Sequence, residues 1–194
     1  MQLRESDPEE CLMEALRSVL RESDEVLAGL ARVLYTSLGR VVTRREVVEL
    51  VGRDAEELLL VANEYRLLLS EGHDMMWVRR CVPGGEEERY GMPLVVEEAV
   101  RLACETGRWR AEEAIRRCFE RLGEPLSDKL PSVFERLKEV AEGSGRVGAF
   151  EIRKVAESFG FEPGTLIAEL KASGLITPRP PTTAKLLYDL HPLF

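Results

Sequence analysis

One short block occurs twice in this chain. Gly39-Arg40-Val41 opens a helix-sized segment that ends at Gly52, and Gly145-Arg146-Val147 opens another that ends at Gly160. Each copy follows an amphipathic helical stretch and precedes a second helical pattern, then a β-like stretch with turn residues. A duplicated order of elements constrains the fold more than composition does, because each copy has to bury its own apolar face. With 194 residues there is enough chain for two small cores.

Local signals place the elements. Ser6-Asp7-Pro8-Glu9-Glu10 reads as a helix start, with Leu12, Leu16, Val19 and Leu20 on one face. Ser23-Asp24 opens a second helix, predicted to run through Leu38 and to end at Gly39. Thr43-Arg44-Arg45-Glu46 has the spacing of a capping box, and the helix it starts stops at Gly52. A further helix is predicted from Asp54 to Ser70, followed by a β-hairpin whose arms are Met75–Cys81 and Glu86–Gly91 around Val82-Pro83-Gly84-Gly85. Residues 94–123 are helical in pattern, with a break at Gly107.

Gly123-Glu124-Pro125 opposes helix continuation and marks a boundary. Beyond it lie a helix carrying Leu130, Val133, Phe134, Leu137 and Val140, a second from Ala149 to Phe159, and a third from Pro163 to Ser173. Leu175-Ile176-Thr177 and Lys185–Tyr188 read as strands joined by a stiff turn at Pro178–Thr183. The expected division is therefore a first module over residues 1–93, a helical linker over 94–123 and a second module over 124–194.

The order of elements and the run Leu166–Ile176, in which a helix closes on a lysine, a small residue and a glycine before a Leu-Ile strand, resemble winged helix-turn-helix domains. The resemblance covers roughly residues 24–93 and 124–194. It implies a mainly α fold with small β-hairpins, two winged-helix modules joined by a helical linker. In members that read DNA, the third helix enters the major groove and the wing touches phosphate. Acidic tandem winged helices are also similar in kind to the kleisin-binding segregation and condensation subunits, and to adhesive subunits of membrane-remodelling complexes. The same architecture can thus serve transcription regulation or protein assembly.

Charge separates the two modules. The net charge is −8, which opposes nonspecific attraction to phosphate. The third helix of the first module exposes Asp54, Glu56, Glu57 and Glu64, and its wing carries Glu86, Glu87 and Glu88; a protein partner is expected there. In the second module, Lys171, Arg179, Lys185 and Thr182, flanked by Arg153 and Lys154, are the candidate phosphate contacts, with Arg146 a further flank. The leading expectation is a nucleic-acid-associated regulator that binds DNA mainly through the second module. The alternative is a scaffold subunit that uses the acidic first module and the Arg108-Trp109-Arg110 cluster as a protein interface. A homodimer fits either reading.

Other chemistry is excluded or unsupported. The histidines, His73 and His191, are far apart, and Cys11, Cys81, Cys104 and Cys118 have no metal-ligand spacing, so neither a catalytic set, a metal site nor a cofactor is expected. Reduced, buried thiols are the expected state, with a Cys104–Cys118 bridge left open. Trp77 reads as a core residue. Charged residues make up 32% of the chain, with Asn63 the one asparagine and Gln2 the one glutamine, a composition expected of a thermophilic source. The chain has neither a secretory leader nor a membrane-spanning apolar run, so a cytoplasmic protein is expected.

Overall fold

The computed structural model describes residues 7–70, 85–179 and 186–194. The protein is mainly helical with two small three-stranded antiparallel sheets, and its described residues divide between Arg110 and Ala111 into two compact units.

In the first unit, α1 (Pro8–Arg17) starts where the Asp7 carboxylate accepts the Glu9 N–H at 3.0 Å. Helix α2 (Asp24–Thr36) is capped by Ser23. Strand β1 (Val42–Thr43) leads directly into α3 (Arg44–Val51). The predicted capping box is present: Thr43 Oγ1 accepts the Glu46 N–H at 3.2 Å and the Glu46 carboxylate accepts the Thr43 N–H at 2.7 Å. Then follow α4 (Ala55–Glu64), β2 (Leu69–Ser70), β3 (Arg89–Gly91) and α5 (Leu94–Thr106). Helices α1, α2 and α5 pack on one another around Leu12, Leu16, Leu27, Leu30, Leu34 and Leu102, all buried.

The Glu46 cap titrates. The hydrogen bond from Arg40, then those from the Thr43 N–H and hydroxyl, lower its carboxyl from 4.5 to about 2. A depressed folded-state pKa means the stabilisation is complete above the unfolded value and fades as pH falls from 4.5 towards 2. Glu46→Ala is expected to cost about 1 kcal/mol at neutral pH. In urea denaturation series, the gap between parent and variant should close across that acid window; a gap independent of pH would refute the assignment.

One predicted helix limit is corrected. The helix expected to reach Ser70 ends at Glu64, because Arg66 adopts a left-handed conformation (φ 56°) and the Leu67 N–H bonds back to the Ala62 carbonyl at 2.7 Å. That turn carries Leu67 and Leu68 into the core, both buried, and frees Leu69–Ser70 to become β2. Strand β3 accordingly pairs with β2 on one edge, with Leu69 opposite Gly91 and Ser70 opposite Tyr90, and with β1 on the other. The predicted hairpin arm Met75–Cys81, and Trp77 and His73 with it, lie outside the described residues.

In the second unit, α6 (Ala111–Leu122) is followed by a short turn of 3-10 helix, α7 (Leu130–Val140), β4 (Arg146–Gly148), α8 (Ala149–Phe159), α9 (Pro163–Ser173), β5 (Ile176–Pro178) and β6 (Leu187–Leu190). Helices α8 and α9 have their predicted bounds. Gly160 and Gly174 end them in left-handed conformations, with φ of 85° and 88°. The second strand sits two residues later than expected, so that Tyr188 and Leu190 face the core.

The stretch predicted as a linker breaks at Gly107 as expected, but its halves are integral parts of the units. Helix α5 packs on α1 and α2 in the first, and α6 packs on α7 in the second. The reason is amphipathicity: Val95, Val96, Ala99, Val100, Leu102 and Ala103 of α5, and Ala114, Ile115, Cys118 and Phe119 of α6, are all buried.

The internal repeat is structural. Both units run helix, strand, helix, helix, strand, strand, with strand orders β1-β3-β2 and β4-β6-β5. Val42 stands opposite Tyr90 in one sheet and Val147 opposite Tyr188 in the other. The Arg44 N–H donates to the Glu88 carbonyl at 2.8 Å, and the Ala149 N–H to the Leu186 carbonyl at 3.1 Å. The equivalent of Val147 is thus Val42, one residue beyond the valine that the Gly-Arg-Val match would align. Burial decides the register, since Val42 and Val147 both point inward while Val41 is partly exposed.

By the same equivalence Gly148 occupies the position of Thr43, and Glu151 that of Glu46. Gly148 has φ −84° and ψ 157°, which any residue adopts, and an added Cβ would meet the mobile end of the Glu151 side chain. Gly148→Thr completes the capping box once the Glu151 side chain shifts, and is expected to raise stability by about 0.5 kcal/mol, seen as a higher urea midpoint at unchanged m-value.

Candidate functional site

The cations predicted in the second unit fall into separate places. Arg179 follows β5, and its N–H donates to the Leu187 carbonyl at 3.0 Å. Its Nε lies 3.2 Å from Asp189, and the Arg146 Nε lies 3.6 Å from the other oxygen of the same carboxylate. The register produces this, because Arg146 pairs directly with Asp189 across β4 and β6. Asp189 therefore offsets part of the charge that the two arginines would offer to phosphate.

Arg153 and Lys154 are both exposed on α8. The Lys154 ammonium lies 4.4 Å from the centroid of the Phe150 ring, and Phe150 is 64% exposed. The Glu162 carboxyl is held below its ordinary range, first by the N–H groups of Gly164 and Thr165 and further by Arg153. Lys171 is partly buried in the last turn of α9, where a cation complements the helix dipole. The solvent face of α9 presents Gly164, Thr165, Ala168 and Ala172, with neither a cation nor an amide for base edges. Thr182 and Lys185 lie outside the described residues.

The first unit places its charges differently. Glu56, Glu57, Leu60 and Glu64 form the solvent face of α4, with Leu60 46% exposed among the carboxylates. Arg44 is paired with Glu56, and the Arg45 Nη1 lies 3.3 Å from Glu87. Beside the start of α4, an open groove of about 430 Å³ is bordered by Glu25, Asp54 and Glu57 with Arg32. Glu88, expected to be a solvated wing residue, has a structural task instead: its two carboxylate oxygens accept the hydroxyls of Ser70 and Tyr90, each at 2.7 Å.

Of the predicted protein interface, Arg108 and Arg110 are exposed and Trp109 is partly buried, at the end of the first unit. His191 is buried, its ring meeting Phe194 edge-on at 4.9 Å and its Nδ1 accepting the Leu193 N–H at 3.3 Å. Among the described residues, no three His, Cys, Asp or Glu side chains converge as metal ligands, and no helix is long and apolar enough to cross a membrane.

Sequence reasoning missed Asp189, Phe150 and Leu60 as surface-defining residues. Asp189 had a readable signal, an acidic residue between two inward-facing ones in Tyr188-Asp189-Leu190. Phe150 and Leu60 had none, because an apolar residue on an amphipathic helix is assigned to the core by default.

Residues 12–194 match the model of one protein family, of unknown function, and the match spans both units. No curated protein and no solved structure matches the chain.

Proposed function

The chain belongs to the family matched across both units, and we propose that it is a non-enzymatic adaptor built of two winged-helix modules, which binds protein through the third helix and wing of the first. The shared strand order and the recurring bond from the first amides of α3 and α8 to the carbonyls just before β3 and β6 support the winged-helix reading of each unit. The observation that carries the functional reading is the α4 face: exposed Leu60 surrounded by Glu56, Glu57 and Glu64, with Arg44 and Arg45 already engaged by carboxylates. Such a face repels phosphate and suits a basic protein segment with an apolar anchor.

A photo-crosslinking residue at position 60, introduced into the full chain and exposed to extract from the source cells, tests this. A discrete protein adduct is expected, resistant to nuclease and suppressed by Glu57→Lys with Glu64→Lys. A nuclease-sensitive adduct, or one indifferent to the reversals, would sink the proposal.

A second reading, DNA association as a regulator through the second module, draws on the exposed pair Arg153 and Lys154 of α8. It predicts binding of labelled duplex DNA that weakens steeply between two salt concentrations, and a flatter salt slope after Arg153→Ala with Lys154→Ala. No binding at low salt eliminates it.

A further inference from the structure

We propose that the groove beside the start of α4 receives a lysine side chain of the protein partner, in the place that Lys129 spans in the second unit. This rests on the reading that the first unit binds protein through its α4 face, and it names the group that the partner presents.

The internal repeat identifies the occupant. Buried Leu27, Leu30, Ala31 and Leu34 of α2 have the spacing of buried Leu130, Val133, Phe134 and Leu137 of α7, so Val26 stands where the second unit has Lys129. Helices α3 and α8 each end at a glycine of positive φ, Gly52 at 69° and Gly160 at 85°, so Val51 corresponds to Phe159. Buried Leu58 and Ala62 of α4 match Leu166 and Leu170 of α9, so Asp54 corresponds to Glu162. In the second unit the Lys129 ammonium donates to the Phe159 carbonyl at 3.1 Å, where the end of a helix favours a cation. The Glu162 carboxylate turns to its own helix and accepts the N–H groups of Gly164 and Thr165.

The first unit keeps the cleft and lacks the lysine. Val26, Val51 and Leu58 give the groove of about 430 Å³ an apolar lining, and Glu25, Asp54 and Glu57 border it. Asp54 makes no side-chain cap bond to α4, and among the described residues none of the three carboxylates has an ion-pair partner. The one cation among the lining residues, Arg32, lies 3.7 Å from Glu9. Apolar walls for an alkyl stem and carboxylates for its charged tip match a lysine side chain. Glu57 belongs to both the groove and the Leu60 face, so one basic segment engages both.

The test titrates the isotope-labelled full-length chain with the peptide acetyl-Ala-Lys-Ala-amide and follows its amide resonances. Saturable shifts are expected at Val26, Val51, Asp54 and Glu57. They should vanish when norleucine replaces the lysine of the peptide, weaken about fivefold or more in affinity after Glu25→Gln with Asp54→Asn, and be lost in Val26→Lys, which supplies the lysine of the second unit. Unchanged resonances away from the groove check folding, and the carboxylate pair decides the matter if Val26→Lys misfolds. No shifts, equal shifts with norleucine, or unsaturable shifts spread over the other exposed carboxylates would overturn the proposal. Glu25 and Asp54 are not part of the Leu60 face, so a position-60 adduct undiminished by Glu25→Gln with Asp54→Asn overturns the role of the groove and leaves the α4 reading standing, whereas a parent chain that forms no adduct overturns both.

Discussion

Phe134→Ala is expected to destabilise the second unit by about 3–5 kcal/mol. Phe134 lies on α7 and, with Phe119 of α6, is among the largest fully buried side chains of the protein. Its removal deletes the transfer free energy of the ring and leaves a cavity that the surrounding helices fill only in part. Amide exchange across α7, α8 and β6 is the direct readout, and should accelerate by about two to four orders of magnitude where exchange requires unfolding of the unit. Phe150→Ala is the control. That ring is 64% exposed, so its loss should change stability by no more than about 0.5 kcal/mol. Equal effects of the two substitutions would show that the burial pattern described above is wrong.

The second large effect has the opposite sign. Thr177 lies on β5 in the row of Arg146 and Asp189 across the second sheet. It is fully buried, and its hydroxyl has no hydrogen-bond partner among the described residues. A buried hydroxyl left unpaired costs about 1–3 kcal/mol, and valine has nearly the same shape with better strand propensity. Thr177→Val is therefore expected to raise stability by about 1–2 kcal/mol, seen as a higher urea midpoint at constant m-value. A lower midpoint would mean that the hydroxyl is bonded in solution.

The helices were legible because their limits are written locally. The Thr43–Glu46 box, the prolines at the first turns of α1 and α9, and the glycines after α8 and α9 satisfy or terminate backbone groups within a few residues. The strands were harder. A two-residue strand such as Leu69–Ser70 has no periodicity of its own, and its place depends on Tyr90, twenty residues away in β3. The helix predicted through Ser70 failed for the same reason. Arg66 has an unremarkable sequence context, and only the pull of Leu67 and Leu68 into the core explains why the chain turns there.

The candidate surfaces divide along the same line. The acidic character of α4 was visible, because Glu56, Glu57 and Glu64 share a helical face. The attenuation of the second unit's cations was not. Arg146, Arg179 and Asp189 are brought together only by the β4-β6-β5 register, and charges distant in sequence do not announce their partners. The exposure of Leu60 and Phe150 was equally hidden, since apolar residues look alike whichever way the helix faces.

Taken alone, the amino-acid order determined the duplicated three-helix plan, the helix ends and the surplus of carboxylates, all properties set by neighbours within one or two turns. Tertiary structure decided which valine of each copy faces inward, which strand β3 pairs with, where the apparent linker helices belong, and which cations stay available to a partner. Those outcomes depend on contacts between segments far apart in the chain, whose free energy is gained only when both segments are buried together.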